Sequence, residues 1–472
     1  MTDAVESAAG TLGSGERAVA GDIAARIDRL PLTRIQYRYA AITQWFWGIM
    51  IAADGLVASL YPFVWAPKGL ITSFQFDLIL GSNIGVGILI GEYIGGFMSD
   101  LIGRKWTLIL AALIEGLFIW PIALTHNFGW LLLWNVLFAL GMGMLLSVHA
   151  VYLHELAPPQ HRQKLAMRTQ ALAPAAAGLL AGLTSYYWVP VHYQWWVYTL
   201  SAAPIVLCIP LGLLMPESPR WLEGKGRVEA ADRIVTKWEQ ATEARYGPLP
   251  APNLSTHTVI QTQKVPAQEL FNSRYRYTTL LLLAVWFFGY SGIVYGGASF
   301  FPTWAVANGW SAHQLFFVTR ILAVPIVVGA FFLVSLFGEK LERKTWLVIG
   351  SAIYSICFLL LLVTKNFYGP AVLVSVATPF ASIWLFTCYN YTSAAYPTRV
   401  RSVGTGWTDG VGHLGTIVGT SLLVGRLFAW TAGSHYYGWI LYVTIAGALF
   451  PSLLLLRLGQ KQRGGILEEL ST

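Results

Sequence analysis

Charged residues are scarce in this chain of 472 residues: only 11% are Asp, Glu, Lys or Arg, while 55% are hydrophobic. Soluble proteins carry about 25% charged residues, so the composition excludes a soluble globular protein. Most of the chain is therefore expected to lie in a lipid bilayer, or to be buried inside a protein embedded there.

Cysteine is rare as well, and the three cysteines, Cys208, Cys357 and Cys388, all lie in apolar stretches. They show neither the spacing of a disulfide framework nor that of a metal site, so the sequence predicts no metal. A GxGxxG loop followed by an acid, a Walker GK[ST] loop and a Gly-x-Ser-x-Gly motif are also missing. The sequence therefore predicts no cofactor and no enzymatic centre.

The first 33 residues lack the apolar core of a cleavable signal peptide, because they are mostly polar and charged. This composition predicts that residues 1–34 form a disordered cytoplasmic segment. We expect the first apolar span to direct the chain to the membrane.

Long apolar runs are abundant. A membrane-spanning helix needs about 20 apolar residues, and these runs are too long and too continuously apolar for the strands of a barrel. We therefore predict an all-α membrane protein with twelve transmembrane helices. The predicted spans lie near residues 38–62, 78–101, 106–125, 129–152, 168–189, 195–215, 277–301, 312–337, 345–363, 369–392, 403–427 and 436–456.

The basic residues indicate the orientation of these spans. Most of the 31 Lys and Arg residues lie in segments that are cytoplasmic if both termini are inside. Lys68, Lys365 and Arg426 fall in predicted external loops, and Arg320 lies within a span. This is the positive-inside pattern, so both termini are predicted to be cytoplasmic. The net charge of +8 thus reflects membrane topology rather than nucleic acid binding.

Two stretches repeat one motif at a spacing of 239 residues: residues 96–105 read GFMSDLIGRK and residues 335–344 read SLFGEKLERK. Several pairs in one register indicate two copies of an ancestral unit, and therefore two pseudo-symmetric six-helix halves. The same spacing relates four further pairs: Tyr152 and Tyr391, Pro158 and Pro397, Arg162 and Arg401, and Trp47 and Trp286.

The repeat also predicts the domain boundaries. The first half is expected to cover residues 35–215, and the second half residues 277–457, followed by a cytoplasmic tail, residues 458–472. The cytoplasmic interdomain loop, residues 216–276, combines an amphipathic helical pattern with a linker that carries Pro and polar residues.

These motifs resemble those of the major facilitator superfamily, in particular its sugar-porter and metabolite symporter branches. The pattern Gly96-x-x-x-Asp100-x-x-Gly103-Arg104-Lys105 is similar to the family's loop between spans 2 and 3, although Leu101 stands where a basic residue is usual. PESPRWL, residues 216–222, is similar to the sugar-porter signature after span 6. The resemblance covers residues 35–458 and implies alternating access by rocking of the two halves.

Charged residues at the predicted cytoplasmic ends of the spans are expected to form a gate. Asp100 can pair with Arg104, four residues further on, and such a pair can act as a latch at an interface that opens and closes. Alternatively, the basic residues serve only as topology signals, but the accompanying Gly and Asp residues favour a gate. The predicted gating residues are Asp100, Arg104, Lys105, Glu155, Arg162, Glu217, Arg220, Glu339, Arg343 and Arg401.

Ionisable residues inside a membrane cost about 2.5–3.5 kcal/mol each, so a functional role is expected for them. Asp54 in span 1 is the leading candidate for proton coupling, because burial favours the protonated form of a carboxylate. Glu92 in span 2 and Asp409 in span 11 are further candidates, and Asp409 shares a helix face with His413. The alternative for each is a structural hydrogen bond, which we expect for Glu115 in span 3.

Arg320 in span 8 suits a substrate carboxylate, which a guanidinium group binds through two parallel hydrogen bonds. Its alternative role is a fixed ion pair with Asp54 or Glu92.

The resemblance implies that spans 1, 4, 7 and 10 line the cavity. Aromatic residues with polar tips in these spans can stack on a ring of the substrate, although some of them serve only packing. The predicted substrate-binding residues are Arg320, Tyr290, Asn390, Tyr391, Trp286, His149 and Tyr152.

The leading functional prediction is a proton-coupled symporter of a small polar metabolite, an organic acid. We expect a monomer in the plasma membrane whose partners are the substrate, protons and lipid, not nucleic acid. The alternatives are a sugar or polyol porter, a multidrug exporter and a transporter-like sensor. The inner spans contain few Gln and Asn residues, which argues against a sugar or polyol porter. The PESPRW segment argues against a multidrug exporter, and the short tail argues against a sensor.

Overall fold

The computed structural model describes most of the chain. It covers residues 17–20, 22–60, 65, 69–158, 161–187, 198–199, 201–254, 258–261, 267–295, 301, 304–305, 308–337, 340–361, 363–364, 366–397, 400–419 and 437–461. Glu339 and the side chain of Arg320, both predicted to be functional, lie outside the described residues.

The described part of the chain is almost entirely helical. The elements up to the interdomain loop are β1 (Arg17–Ala20), α1 (Asp22–Asp28), α2 (Arg34–Leu60), α3 (Ser73–Ser82), a π-helical turn (Asn83–Ile88), α4 (Leu89–Ile102), α5 (Arg104–Leu124), α6 (Phe128–Leu156), α7 (Arg162–Tyr187), a second π-helical turn (Pro204–Cys208) and α8 (Ile209–Leu213). The interdomain loop contains α9 (Pro219–Gly224), α10 (Val228–Tyr246), β2 (Thr258–Gln261) and a 3₁₀ turn (Ala267–Phe271).

The second half repeats this pattern of long helices. Its elements are α11 (Arg276–Gly289), a π-helical turn (Tyr290–Val294), α12 (Ala312–Phe316), a π-helical turn (Phe317–Leu322), α13 (Ala323–Phe337), α14 (Arg343–Leu361), α15 (Tyr368–Ala394), α16 (Arg401–Gly412), α17 (Leu414–Thr416) and α18 (Tyr437–Leu458).

Eight helices in the described residues are long and apolar enough to cross a membrane, and each coincides with a predicted span. Shorter apolar helices, Ala175–Thr184, Pro204–Leu213 and Ile445–Leu458, lie in three more predicted spans. The eleventh predicted span, 403–427, begins as α16, and its part beyond residue 419 lies outside the described residues. The all-α membrane fold is therefore confirmed.

The internal repeat includes the hydrogen bonds that cap two helices. Thr72 accepts a hydrogen bond from the backbone N–H of Gln75 at 3.2 Å, while the Gln75 side chain accepts one from the Thr72 N–H at 2.9 Å. Ser311 and Gln314, at the 239-residue spacing, form the same capping box with the same two distances. Since such a box fixes the residue at which a helix begins, the second and eighth spans start in register.

Helices of the two halves pack together in several pairs, among them α4 on α16, α7 on α13, and α6 on both α15 and α16. The α4–α16 contact is the closest, because it is made by backbone. A Cβ atom on Gly406 would lie only 2.5 Å from the carbonyl oxygen of Glu92, so this position requires glycine. We refer to the membrane face that carries α1, α9 and α10 as the inner face; it is the face predicted to be cytoplasmic.

The prediction that residues 1–34 are disordered is wrong for the residues described there. β1 pairs antiparallel with β2, Arg17 opposite Gln261, and α1 packs on α9 and α10. Ile23, Ile27 and Leu30 are fully buried. The segment is ordered because these apolar residues, at helical spacing, cover apolar side chains of the interdomain helices.

Candidate functional site

The repeated motif of the first half forms a buried ion network at the inner face. α4 ends at Gly103, whose φ of 104° favours glycine, and where a Cβ would lie 2.1 Å from Glu217 Oε2. Arg104 therefore begins a new helix, and its Nη1 donates to Asp100 at 2.8 Å. Its Nε and Nη2 donate to the two oxygens of Glu155 at 3.0 and 2.9 Å.

Glu155 connects the two halves. Besides accepting from Arg104, it lies 3.5 Å from Arg401 Nη1, which belongs to the second half. All three side chains are 0% exposed. A buried carboxylate held between two guanidinium groups is fully compensated, whereas a buried charge without a counter-charge is strongly destabilising. The contact between Glu155 and Arg401 therefore joins the two halves at the inner face.

The interdomain loop contacts this network at the inner face. Glu217 accepts hydrogen bonds from the backbone N–H of Arg104 at 2.9 Å and of Lys105 at 3.3 Å, so it caps the start of α5. Burial raises the pKa of Glu217, although these hydrogen bonds oppose the shift. Arg220 donates through Nε to the carbonyl of Glu155 at 3.3 Å, and it also pairs with Asp28 of α1.

The second copy of the motif makes different contacts. Arg343 Nη1 donates to the carbonyl oxygen of Asn390 at 3.1 Å. The Asn390 side chain is in turn 2.9 Å from His154 Nε2 of the first half. Tyr391 donates to the carbonyl of Gln460 at 3.1 Å. These contacts lie close to the inner face.

A second charged cluster lies at the α4–α16 contact, two turns away from Asp100 along α4. It contains Glu92 from the first half and Asp409 and His413 from the second half. One ligand atom of each residue lies within 4.8 Å of the other two. His413 Nε2 is 3.3 Å from Glu92 Oε1 and 4.0 Å from Asp409 Oδ1. We call these three residues the membrane triad.

The membrane triad is buried, and several of its polar atoms make no hydrogen bond to the described residues. Its three residues are 0% exposed. Both oxygens of Glu92, Oδ2 of Asp409 and both ring nitrogens of His413 make no hydrogen bond to the described residues. Buried polar atoms normally have partners, and leaving a charged one unpaired costs several kcal/mol. The triad therefore suits a cation or proton shared between its members.

Aromatic residues of the second half pack around Asp409 and His413. The Tyr290 hydroxyl donates to Asp409 Oδ1 and lies 3.1 Å from the Tyr389 hydroxyl. The Tyr290 ring stacks on His413, with centroids 4.2 Å apart. Trp286 packs beside Tyr290 and Tyr389, and its Nε1 donates to the Thr392 hydroxyl at 3.0 Å.

An aromatic cluster joins the two halves beside the triad. The Trp47 ring lies 3.9 Å from His149 of its own half, and 4.3 and 5.8 Å from Phe386 and Tyr389 of the other half. All four residues are at most 9% exposed. Trp47, His149 and Tyr389 thus connect the surroundings of the membrane triad to the first half.

The remaining predicted site residues lie apart from this centre. Tyr152 donates to the carbonyl of Pro216 at 2.8 Å, in the interdomain loop, and Arg162 lies 3.9 Å from Asp28. Lys105 donates to the carbonyl of Leu213 at 3.2 Å. Asp54 is half-buried in α2, within electrostatic reach of Glu115.

The sequence reasoning missed two cross-half contacts and one helix. His154, which precedes Glu155 in the motif after span 4, gives no sequence signal for its contact with Asn390. Phe386 is one apolar residue among many in its span. Asp28 lies in α1, whose signal was present: Ile23, Ile27 and Leu30 follow helical spacing just before span 1.

The sequence matches the family model described as "Sugar (and other) transporter" over residues 70–456. The chain belongs to this family. Among its relatives, the niacin transporter NiaP of Acinetobacter baylyi is 25% identical over 472 residues, covering 95% of this chain and 99% of NiaP. The inner membrane metabolite transport protein YdjE of Escherichia coli is 26% identical over 469 residues, covering 95% and 98%.

The fold of this family member agrees with solved structures. The proton:xylose symporter XylE, bound to 6-bromo-6-deoxy-D-glucose, superposes with a TM-score of 0.70 at 17% identity, over 92% of this chain and 98% of XylE. The chain thus has the major facilitator fold. It is a multi-pass transporter of the plasma membrane and not an enzyme.

Proposed function

We propose that this family member is a secondary active transporter that moves a small organic acid together with protons. The membrane triad is the observation that carries the proposal. It combines one carboxylate from the first half with a carboxylate and an imidazole from the second half, at full burial.

The physical argument for proton coupling is electrostatic. Two negative charges about 4 Å apart repel each other by about 4 kcal/mol at an effective dielectric constant of about 20. A proton bound between Glu92 and Asp409 removes this repulsion and permits the packing of α4 on α16. Because the carboxylates belong to different halves, proton affinity depends on whether the halves are together, which couples proton binding to alternating access.

The substrate would bind beside the triad. Trp286, Tyr290 and Tyr389 present ring faces and hydroxyl groups around Asp409, an arrangement that suits a small planar or polar molecule. We propose Arg320 as the partner of a substrate carboxylate and Asp54 as a second proton-binding residue. The relative NiaP is described as a niacin transporter, and niacin is a carboxylic acid.

A sugar or polyol porter is the second candidate. The family model is that of sugar transporters, and XylE is described as a proton:xylose symporter. In this case the aromatic rings would stack on a sugar face and the proton would retain the same role.

Uptake into proteoliposomes tests the proposal and separates the two candidates. Labelled niacin and xylose are offered with and without an inward proton gradient. We expect niacin to accumulate only with the gradient, and a protonophore to abolish its accumulation. Gradient-driven accumulation of xylose alone would favour the sugar porter, and uptake unaffected by the gradient would contradict proton coupling.

The role of the triad is tested by Glu92→Gln, which keeps the shape of the side chain. We expect gradient-driven accumulation of niacin to fall at least about ten-fold, because the amide of glutamine cannot take up the proton. Exchange of labelled for unlabelled niacin should persist, because the substrate-binding residues are unchanged. Glu229→Gln, an exposed acid on α10, is the matched control. Unchanged accumulation by Glu92→Gln would exclude the triad as the coupling site.

A further inference from the structure

The helix α1 covers the interdomain helices at the inner face. Its apolar side chains, Ile23 and Ile27, are fully buried together with Leu30 just beyond the helix. The helix packs on both α9 and α10, where Trp221 and Val235 are buried apolar residues. The contact is thus a packed interface rather than a loose surface association.

Polar contacts fix the start of α1 on α9. The backbone N–H groups of Ile23 and Ala24 donate to the two carboxylate oxygens of Glu223 at 2.9 and 3.2 Å. Glu223 is only 2% exposed. First-turn N–H groups have no partner within a helix, so the carboxylate supplies what the helix itself cannot.

Ion pairs fix the other side of α1 on α10. Arg26 donates to Asp232 at 2.6 Å and to Glu239 at 2.7 Å, and Arg29 donates to Glu239 as well. Burial opposes ionisation of Glu239, yet the hydrogen bonds from Arg26 and Arg29 hold its pKa below the ordinary value. The orientation of α1 is therefore set by at least three acids of the interdomain helices.

The far end of α1 reaches the gate. Asp28 pairs with Arg220 and lies 3.9 Å from Arg162 at the start of α7. Arg220 donates to the carbonyl of Glu155, whose carboxylate contacts Arg401 of the other half. A continuous set of contacts thus runs from α1 through α9 and α6 to the second half.

We propose that residues Asp22–Leu30 form a clip that stabilises the inner-closed conformation of the transporter. The clip holds α9 against Glu155, and β1 pairs with β2, which lies on the chain that leads into the second half. Opening of the inner face separates Glu155 from Arg401. Release of the clip removes the brace on Arg220 and shifts the population towards the inner-open state.

The distance between the halves at the inner face tests this proposal. Spin labels on Ile102→Cys and Leu341→Cys occupy exposed positions, 38% and 39%, that are related by the repeat. The three buried native cysteines are replaced by alanine in all samples. In Arg26→Gln/Arg29→Gln we expect the ratio of long to short distances to increase about five-fold, as the loss of partly exposed ion pairs predicts.

Control variants connect this change with the clip. Lys237→Gln removes a charge from the exposed face of α10 and should leave the distances unchanged. Arg26→Lys/Arg29→Lys keeps both positive charges beside Asp232 and Glu239 and should keep the short distances, a rescue that a role unrelated to charge would not produce.

Amide hydrogen exchange at Ile23 and Ala24 reports whether α1 is released. Should α1 stay docked in Arg26→Gln/Arg29→Gln, Ile27→Asp places a charge in the apolar contact and releases it. Release of α1 by either variant without a longer distance between the halves would overturn the proposal. Because no substrate or proton gradient is used, this result is independent of the proposed transport function.

Discussion

The two cross-half charge clusters of this transporter differ in how their charges are compensated. At the inner face, Glu155 lies between Arg104 and Arg401, so its negative charge has positive partners in both halves. In the membrane triad, Glu92 and Asp409 face each other with an imidazole as the third member. Both clusters are fully buried, and both form only when the halves are together.

Because their charges are compensated differently, the two clusters are expected to respond differently to pH. The guanidinium groups at the inner face keep their positive charge over the physiological pH range, because arginine does not release its proton. The ion network can therefore act as a gate that responds to geometry. Two carboxylates beside a histidine need a cation to remain together, so the stability of their contact depends on the supply of protons.

The largest effect is expected from Glu155→Gln. This change leaves Arg104 and Arg401 buried without their shared anion, and breaking a buried pair costs about 3–5 kcal/mol. We expect a marked decrease of the melting temperature in detergent. Glu229→Gln serves as the exposed control, and a decrease of equal size in that variant would refute the special role of Glu155.

Gly406→Ala tests the backbone contact that carries the membrane triad. The added Cβ would lie 2.5 Å from the carbonyl oxygen of Glu92, and overpacking of this kind costs about 1–3 kcal/mol. We expect fewer inner-closed molecules in the spin-label measurement. Gly178→Ala, where nothing lies within 4 Å of the added atom, is the matched control; equal effects at both positions would argue against a tight α4–α16 contact.

Glu92→Gln should affect stability in the opposite direction to Glu155→Gln. Removing one of two facing carboxylates relieves repulsion, so the melting temperature at pH 8 should stay the same or increase by the equivalent of at most about 1 kcal/mol. The dependence of melting on pH between 5 and 8 should become flatter. A decrease as large as that of Glu155→Gln would show that Glu92 has a permanent positive partner.

The most local effect concerns the docking of α1 and not the contact between the halves. Burial raises the pKa of Glu223 from 4.5 to about 7, against the opposing effect of the Ile23 and Ala24 hydrogen bonds. The docked acid therefore keeps its proton up to about pH 7, whereas the released acid loses it near 4.5. Docking should weaken as pH rises through this window. Below it, docking should weaken again as pH falls, because the ion pairs with α1 hold the pKa of Glu239 below its ordinary value.

Amide exchange at Ile23 and Ala24, corrected for its intrinsic pH dependence, measures this change in docking. In Glu223→Gln we expect protection that does not vary over the same window. Docking of the unaltered protein that strengthens with rising pH would contradict the assigned sign.

The fold was predictable from the sequence because it depends on features that short stretches of sequence show. Apolar runs define the spans, and the 239-residue repeat relates even the caps at Thr72 and Ser311. The contact of Arg104 with Asp100 likewise follows from a spacing of four residues along one chain segment.

Contacts between distant helices were not accessible in this way. The pairing of Glu155 with Arg401 and of Glu92 with His413 depends on the rotation of each helix and on the docking of the halves. The periodicity of a continuously apolar span does not define its rotation. α1 was missed for another reason: although its apolar residues follow helical spacing, the helix is short and is stabilised by tertiary contacts with α9 and α10.

The glycine-lined contact between α4 and α16 has a consequence for speed. Cβ atoms on Gly96 and Gly406 would meet the carbonyl oxygens of Ser402 and Glu92 at 2.7 and 2.5 Å, so backbone faces backbone there. Surfaces without interlocking side chains slide past each other without rotamer changes. We therefore expect the charge clusters along the contact, and not the repacking of side chains, to set most of the cost of separating the halves.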